Sequence, residues 1–173
     1  MHLNVEIKAT CPNPAPIREW LKSQSAEFRG TDHQKDTYFN VASGRMKLRQ
    51  GNIENALIHY DRENNSGPKS STVTLYKASD SDKLCTLLTK ALGVKTIVEK
   101  KREIYFIDNV KFHLDSVPNL GEFVEIEAID VDGSIGQQKL QEQCEYYIKA
   151  FKIREKDMIT HSYSDMLVDR LIG

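Results

Sequence analysis

Cysteine is scarce in this chain: three residues in 173, at Cys11, Cys85 and Cys144. An odd number at such separations forms neither a paired disulfide framework nor a metal knuckle, so a reducing cytoplasm is the expected setting. An excess of either charge is also missing. Lys and Arg number 24 against 25 Asp and Glu, a formal −1. Nucleic acid and anionic membranes reward a broad basic surface, so neither is an expected partner. No apolar run approaches the ~18 residues of a membrane-spanning helix, and the N-terminus is charged from Glu6 onward with no signal-type segment. Neither GxxxxGK[ST] nor GxGxxG occurs, which removes two common nucleotide fingerprints. His33, His59 and His113 have no zinc-type spacing and read as hydrogen-bonded or surface histidines.

What is present is one domain's worth of chain, 1–173, long enough to bury a core without staples. His2 to Thr10 alternates as a strand, with Leu3, Val5, Ile7 and Ala9 on one face and Asn4, Glu6 and Lys8 on the other. CPNPAP then opens a helix that Asn13 can cap, carrying Ile17, Trp20, Leu21 and Phe28 and ending at Gly30. Strands are expected over Gln34 to Val41, Arg45 to Gln50, Ala56 to Arg62 and Thr72 to Lys77. Asp80 starts a helix whose Leu84, Leu87, Leu88, Ala91 and Leu92 form an apolar face closed by Gly93. A second strand-rich block, Lys95 to Val131, precedes a helix with Leu140, Cys144, Tyr147, Ile148 and Phe151 and a tail helix near Met166, Leu167 and Leu171. Cys85, Cys144 and Trp20 fall on apolar stripes and are expected in the core. The order β-α-ββββ-α-βββ-α-α has no single-strand crossover rhythm, which points to an α+β protein with a mostly antiparallel sheet or barrel.

The polar faces of these strands are unusually charged. Arg45, Lys47 and Arg49 share one, Lys111, His113 and Asp115 another, Glu125 and Glu127 a third. Two readings follow. Either these are solvated outer faces of a sheet, or the sheet closes and the charges line its interior, carboxylates holding a hard divalent cation and Lys and Arg holding phosphates.

Five segments in order carry a resemblance: Asn4-Val5-Glu6-Ile7-Lys8, HQKDTYFNVASGRMKLR (His33 to Arg49), ALIHYDR (Ala56 to Arg62), VEKKR (Val98 to Arg102) and HLDSVPNLGEFVEIE (His113 to Glu127). The chain resembles the CYTH superfamily of triphosphate tunnel metalloenzymes, most of all its class IV adenylyl cyclase branch. The resemblance implies an eight-stranded antiparallel barrel, a tunnel with helices packed outside. It implies Glu6, Glu125 and Glu127 as ligands for Mg²⁺ or Mn²⁺ with Asp115 in support. It implies Lys8, Lys47, Arg49, Arg62, Lys100 and Arg102 as contacts to a small-molecule triphosphate. Asn4 departs from the pattern, which has Glu there; Asn is a neutral, weaker ligand. Alternation leaves the orientation of Lys100 and Arg102 open, because Val98 and Ile104 share their parity; the inward direction is what the family implies. Tyr38 has two readings: it pairs with Lys8 to activate water, as in hydrolytic relatives, or is a structural tyrosine. Lys69, in NNSGPKSS, either reaches a phosphate from a loop over the tunnel mouth or is a solvated connector.

Three functions fit this frame. The catalytic candidates are Lys8, Tyr38 and Arg49, and the first function is an adenylyl cyclase in which the ATP 3′-hydroxyl attacks the α-phosphorus and pyrophosphate leaves. The second is a triphosphatase acting on inorganic triphosphate, a nucleoside triphosphate or thiamine triphosphate. The third is a binding module without turnover. The expected assembly is a monomer or homodimer.

Overall fold

The computed structural model describes residues 2–62 and 68–172, apart from the side chains of Arg62 and Leu171. Its strands are β1 (His2–Thr10), β2 (Glu27–Phe39), β3 (Arg45–Gln50), β4 (Asn55–Arg62), β5 (Lys69–Lys77), β6 (Val94–Ile107), β7 (Val110–Val117) and β8 (Gly121–Asp130). The helices are α1 (Ala15–Ser23), α2 (Ser81–Leu92), α3 (Gln137–Ala150) and α4 (Tyr163–Ile172), with a 3-10 turn at Glu155–Asp157. The strands close into an antiparallel barrel in the order β1-β5-β4-β3-β2-β6-β7-β8. Closure leaves no sheet edge to template further pairing. Among the described residues no helix is long and apolar enough to cross a membrane.

The core lies outside the barrel. Val5, Ile7 and Ala9 of β1, Phe112 and Leu114 of β7, and Val124, Ile126 and Ala128 of β8 face outward. They pack against Ile17 and Leu21 of α1 and Leu140, Cys144 and Tyr147 of α3. Trp20 is only partly buried, set edge-on to Phe151 at 5.2 Å. With period-2 alternation, burying one face this way sends every polar partner residue into the lumen. A second cluster of Tyr38, Val98, Val117, Phe123 and Tyr163 stoppers one end of the barrel, with Ile159, Met166 and Leu167 packed on it.

Four expectations are corrected. The first helix ends at Ser23, not Gly30: Ser25 takes the left-handed conformation (φ 56) while the Ala26 and Ser25 amides donate to the Leu21 and Lys22 carbonyls, the Schellman pattern formed without glycine. Its N-cap is Pro14, and Asn13 instead accepts from the Ala15 amide at 3.2 Å. Phe28 therefore lies on β2, exposed, its ring 4.8 Å from Tyr105, and Gly30 (φ 124) sits where the β2–β6 register shifts. Helix α2 begins at an Asp80 cap as expected, its carboxylate accepting from the Lys83 amide, but buries none of its residues. Leu87 is exposed and Cys85 only partly covered. An amphipathic pattern identifies an apolar face and does not guarantee a cover for it. Lys69 belongs to a strand, not a loop. His113, finally, is not a surface group: it is 1% exposed, and among the described residues neither ring nitrogen has a hydrogen-bond partner.

Candidate active site

The inward faces form a cavity of about 520 Å³, within the ~300–1,000 Å³ of small-molecule sites. Register sets neighbouring strands' charges side by side. Glu6 lies opposite Glu127, which lies opposite Lys111; Lys8 lies opposite Glu125, which lies opposite His113. Lys100 and Arg102 do turn inward, both buried and lining the cavity. Val98 and Ile104, of the same parity, are each 1% exposed, so β6 presents an inner face that is charged in its middle and apolar at either side.

Two carboxylates absent from the sequence reading organise the cations. Asp36, fully buried on β2, accepts from Arg49 through both oxygens at 2.9 Å, from Lys47 at 3.1 Å and from Lys100 at 2.7 Å. Burial opposes its ionisation, yet Arg49, Lys100 and Lys47 hold its pKa well below the usual carboxylate range. Glu54, after the β3–β4 turn, accepts from Arg49 at 3.1 Å and from Lys111. The backbone that presents Glu54 is fixed by Asp32, which accepts from the Ile53 and Glu54 amides at 2.9 and 3.0 Å. On the opposite wall Arg102 grips Asp115 with two N–H groups, each at 2.6 Å, and reaches Glu125 at 3.4 Å. Tyr163, at the start of α4, donates to Asp115 at 2.7 Å and lies under the Lys8 ammonium, 3.9 Å from the ring centroid. Lys8 also pairs with Glu125 at 3.4 Å.

The acidic corner is different in kind. Glu125, Glu127 and His113 each offer a ligand atom, all within 4.8 Å of one another. Burial, reinforced by Glu6 and Glu125 against the pull of Lys111, pushes the Glu127 pKa up to about 7. Burial and Arg102 push His113 down to about 3, so its imidazole is neutral. The Asn4 amide donates to Glu127, leaving its own carbonyl oxygen buried without a partner.

Of the sequence candidates, Glu6, Lys8, Tyr38, Lys47, Arg49, Lys100, Arg102, Glu125 and Glu127 line this one cavity. Asp115 stands behind the wall as the anchor of Arg102. Lys69 is buried outside the lining, its ammonium donating to the Thr160 carbonyl. The Arg62 side chain lies outside the described residues. Sequence reasoning missed Asp36, Glu54 and Tyr163, and noted Lys111 as part of a charged strand face without naming it a phosphate contact. Asp36 was visible as the inward partner of Tyr38 two positions on; nothing local marked Glu54 or Tyr163, which reach the cavity through a turn and a terminal helix.

The remaining wall is poorer in charge, with Lys77 of β5 the charged group among its described lining residues. Ala56 and Ile58 of β4, Val73 and Leu75 of β5, and Ile53 line the cavity there, around the barrel from Lys100, Arg102 and Lys111. The cavity is thus densely ionic on one side, while the other carries a patch of apolar side chains interspersed with Tyr60, Ser71 and Lys77.

The CYTH domain profile matches residues 2–163. "Putative adenylate cyclase MJ0240" of Methanocaldococcus jannaschii is 28% identical over 95% of this chain and 98% of its own. Among solved structures, the PH1012 protein of Pyrococcus horikoshii superposes with a TM-score of 0.80 at 21% identity, covering 95% of this chain and 98% of that one. HpAC1 of Hippeastrum, an adenylyl cyclase candidate with a dominant triphosphatase activity, gives 0.60 at 14% identity over 98% and 95%. A charged tunnel inside a closed eight-stranded barrel and a profile match across nearly the whole length agree: this chain belongs to the CYTH domain family.

Proposed function

We propose that the protein is a divalent-metal-dependent enzyme acting on an organic triphosphate, with one domain spanning the chain, and that its reaction is of adenylyl cyclase type, ATP giving cyclic AMP and pyrophosphate. The observation that carries this reading is the divided cavity. A triphosphate brings about four negative charges at neutral pH, and phosphoryl chemistry is mostly positioning and electrostatic stabilisation. Lys8, Lys47, Arg49, Arg102 and Lys111 supply positive charge on one side, joined by Lys100, whose pKa burial pulls well down against the hold of Asp36. Ile53, Ala56, Ile58, Val73 and Leu75 offer a surface that inorganic triphosphate cannot use and a base or ribose can.

The acidic corner suits a cation. Glu127 is a buried carboxylate whose ionisation burial and its acidic neighbours resist, the environment that a positive ion relieves. Glu125 and Glu127, with Glu6 beside them, would hold Mg²⁺ or Mn²⁺. Such an ion neutralises phosphate oxygens and acidifies a coordinated hydroxyl. Arg102, set by its two bonds to Asp115, and Arg49, set by Asp36, hold phosphate oxygens in place, and Lys8 neutralises charge beside Glu125. The 3′-hydroxyl gives up its proton to solvent as its oxygen bonds to the α-phosphorus, the bond to the bridging oxygen breaks, and pyrophosphate departs.

Hydrolysis is the second reading, supported by Tyr38 in the cavity and by the activity of HpAC1. Against it, the contacts of Lys8 are to Glu125 and the Tyr163 ring rather than to Tyr38. Product analysis after incubation with ATP, and separately with inorganic triphosphate, decides. Cyclic AMP with pyrophosphate supports the cyclase; orthophosphate from either substrate supports the hydrolase; calorimetric binding without product leaves a binding module. Ile58→Ser should raise KM for ATP several-fold and leave the affinity for inorganic triphosphate unchanged.

A further inference from the structure

The metal expected of this family is a hard ion in an all-oxygen cage, but the acidic corner is not an all-oxygen site. Position 4 brings a neutral amide in place of a carboxylate, and that amide is already engaged, donating to Glu127. Behind the two carboxylates stands His113, 1% exposed, with neither ring nitrogen in a hydrogen bond. Its Nδ1 is 3.7 Å from Glu125 Oε1, beyond hydrogen-bonding distance. Leaving such a group buried and unsatisfied is costly; a ligand on one of its nitrogens relieves part of that cost. Three donors within 4.8 Å of one another stand no more than about 2.8 Å from a common centre, so bonds of about 2.0–2.2 Å need each donor to move inward by less than about 1 Å. The barrel fixes these partners, since His113 and Glu125 are paired across β7 and β8.

We propose that His113, Glu125 and Glu127 form a mixed nitrogen and oxygen site, and that the imidazole makes this protein select a transition-series divalent ion, Mn²⁺ or Zn²⁺, over Mg²⁺. The chemistry is that of ligand softness. Imidazole adds affinity along the series from Mn²⁺ to Zn²⁺ and adds little for Mg²⁺, which keeps oxygen ligands and water. The inference rests on the reading that the tunnel holds a divalent cation, and adds which donor atom decides the ion.

The test uses calorimetry on the metal-free full chain with Mg²⁺, Mn²⁺ and Zn²⁺, together with electron spin-echo spectroscopy of the Mn²⁺-loaded protein. Expected are at least ten-fold tighter binding of Mn²⁺ and Zn²⁺ than of Mg²⁺ and a nitrogen modulation from one imidazole. In His113→Gln the modulation disappears and the preference collapses to less than about three-fold, Mg²⁺ affinity changing little. Asn4→Asp, which leaves His113 in place, should raise Mg²⁺ affinity and narrow the preference, and serves should His113→Gln fail to fold. Equal affinities in the parent protein, or no nitrogen modulation, overturn the assignment of His113 while leaving the metal-binding tunnel intact. Failure of all three ions to bind overturns both.

Discussion

Asp36 is the shared counter-ion of Lys47, Arg49 and Lys100, which makes it the residue with the largest expected effect on stability. Asp36→Asn keeps the shape and leaves Arg49, Lys47 and Lys100 short of a counter-charge in a buried site. Breaking a buried ion pair from one side costs about 3–5 kcal/mol, to be read from urea denaturation at pH 7. The pH dependence follows from the depressed pKa of Asp36. Its stabilising contribution is complete above the ordinary value of 3.8 and drains away as pH falls through that value toward the lower folded one. The acid limb of the stability profile below pH 4 should therefore be shallower in Asp36→Asn than in the parent. Arg102 poses a question of geometry rather than charge. Lysine cannot bridge both oxygens of Asp115, so Arg102→Lys should lower kcat/KM for ATP at least ten-fold, about 1.4 kcal/mol of transition-state stabilisation, with the far-UV circular dichroism unchanged.

At the scale of elements, the β3–β4 turn and α4 do what no strand does. A Cβ on Gly51 would stand 2.6 Å from both carboxylate oxygens of Asp32, the group that holds the Ile53 and Glu54 amides. Gly51→Ala should displace Asp32, loosen Glu54 and release Arg49 and Lys111 from it, costing about 1–3 kcal/mol. It should also weaken triphosphate binding in calorimetry although residue 51 does not line the cavity. The C-terminal segment is tied to the barrel by Arg45, which donates to Ser162 at 2.8 Å and pairs with Asp165 at 3.0 Å, and by Tyr163 on Asp115. Tyr163→Phe keeps the ring under Lys8 and removes one hydrogen bond, so a loss of about 1 kcal/mol is expected in denaturant melts.

Over the whole molecule the barrel is inverted: the hydrocarbon is outside, under α1 and α3, and the charge is inside. The residues that the resemblance implies, Lys8, Lys47, Arg49, Arg62, Lys100 and Arg102 against Glu6, Asp115, Glu125 and Glu127, are six cations to four carboxylates. With Asp36 and Glu54 added, the described lumen has its cations largely committed to carboxylates, and an incoming triphosphate competes with Glu125 for Lys8 and with Asp36 for Lys47. A cation on Glu125 and Glu127 weakens that competition. Thermal melts should therefore show a shift with inorganic triphosphate and Mn²⁺ together that exceeds the sum of the separate shifts, and a chelator should abolish the excess.

The sequence by itself determined the order of the elements and, because strict alternation separates the two faces of a strand, which charges share a face on β1, β3 and β8; that the sheet closes with those charges inward came through its resemblance. It misjudged α1 because a serine occupies the left-handed position where glycine is the usual signal, and α2 because an apolar stripe does not say what lies against it. Only the tertiary structure decided that Lys100 and Arg102 face the lumen, since apolar and charged residues alternate there in the same parity. Only it brought Asp36, Glu54 and Tyr163 to the cations and set His113 behind the carboxylates. Those contacts join residues far apart in the chain, through strand register and turn geometry, and local pattern carries no information about which distant side chain stands opposite. Sequence told which residues are charged; closure of the barrel decided which charges meet.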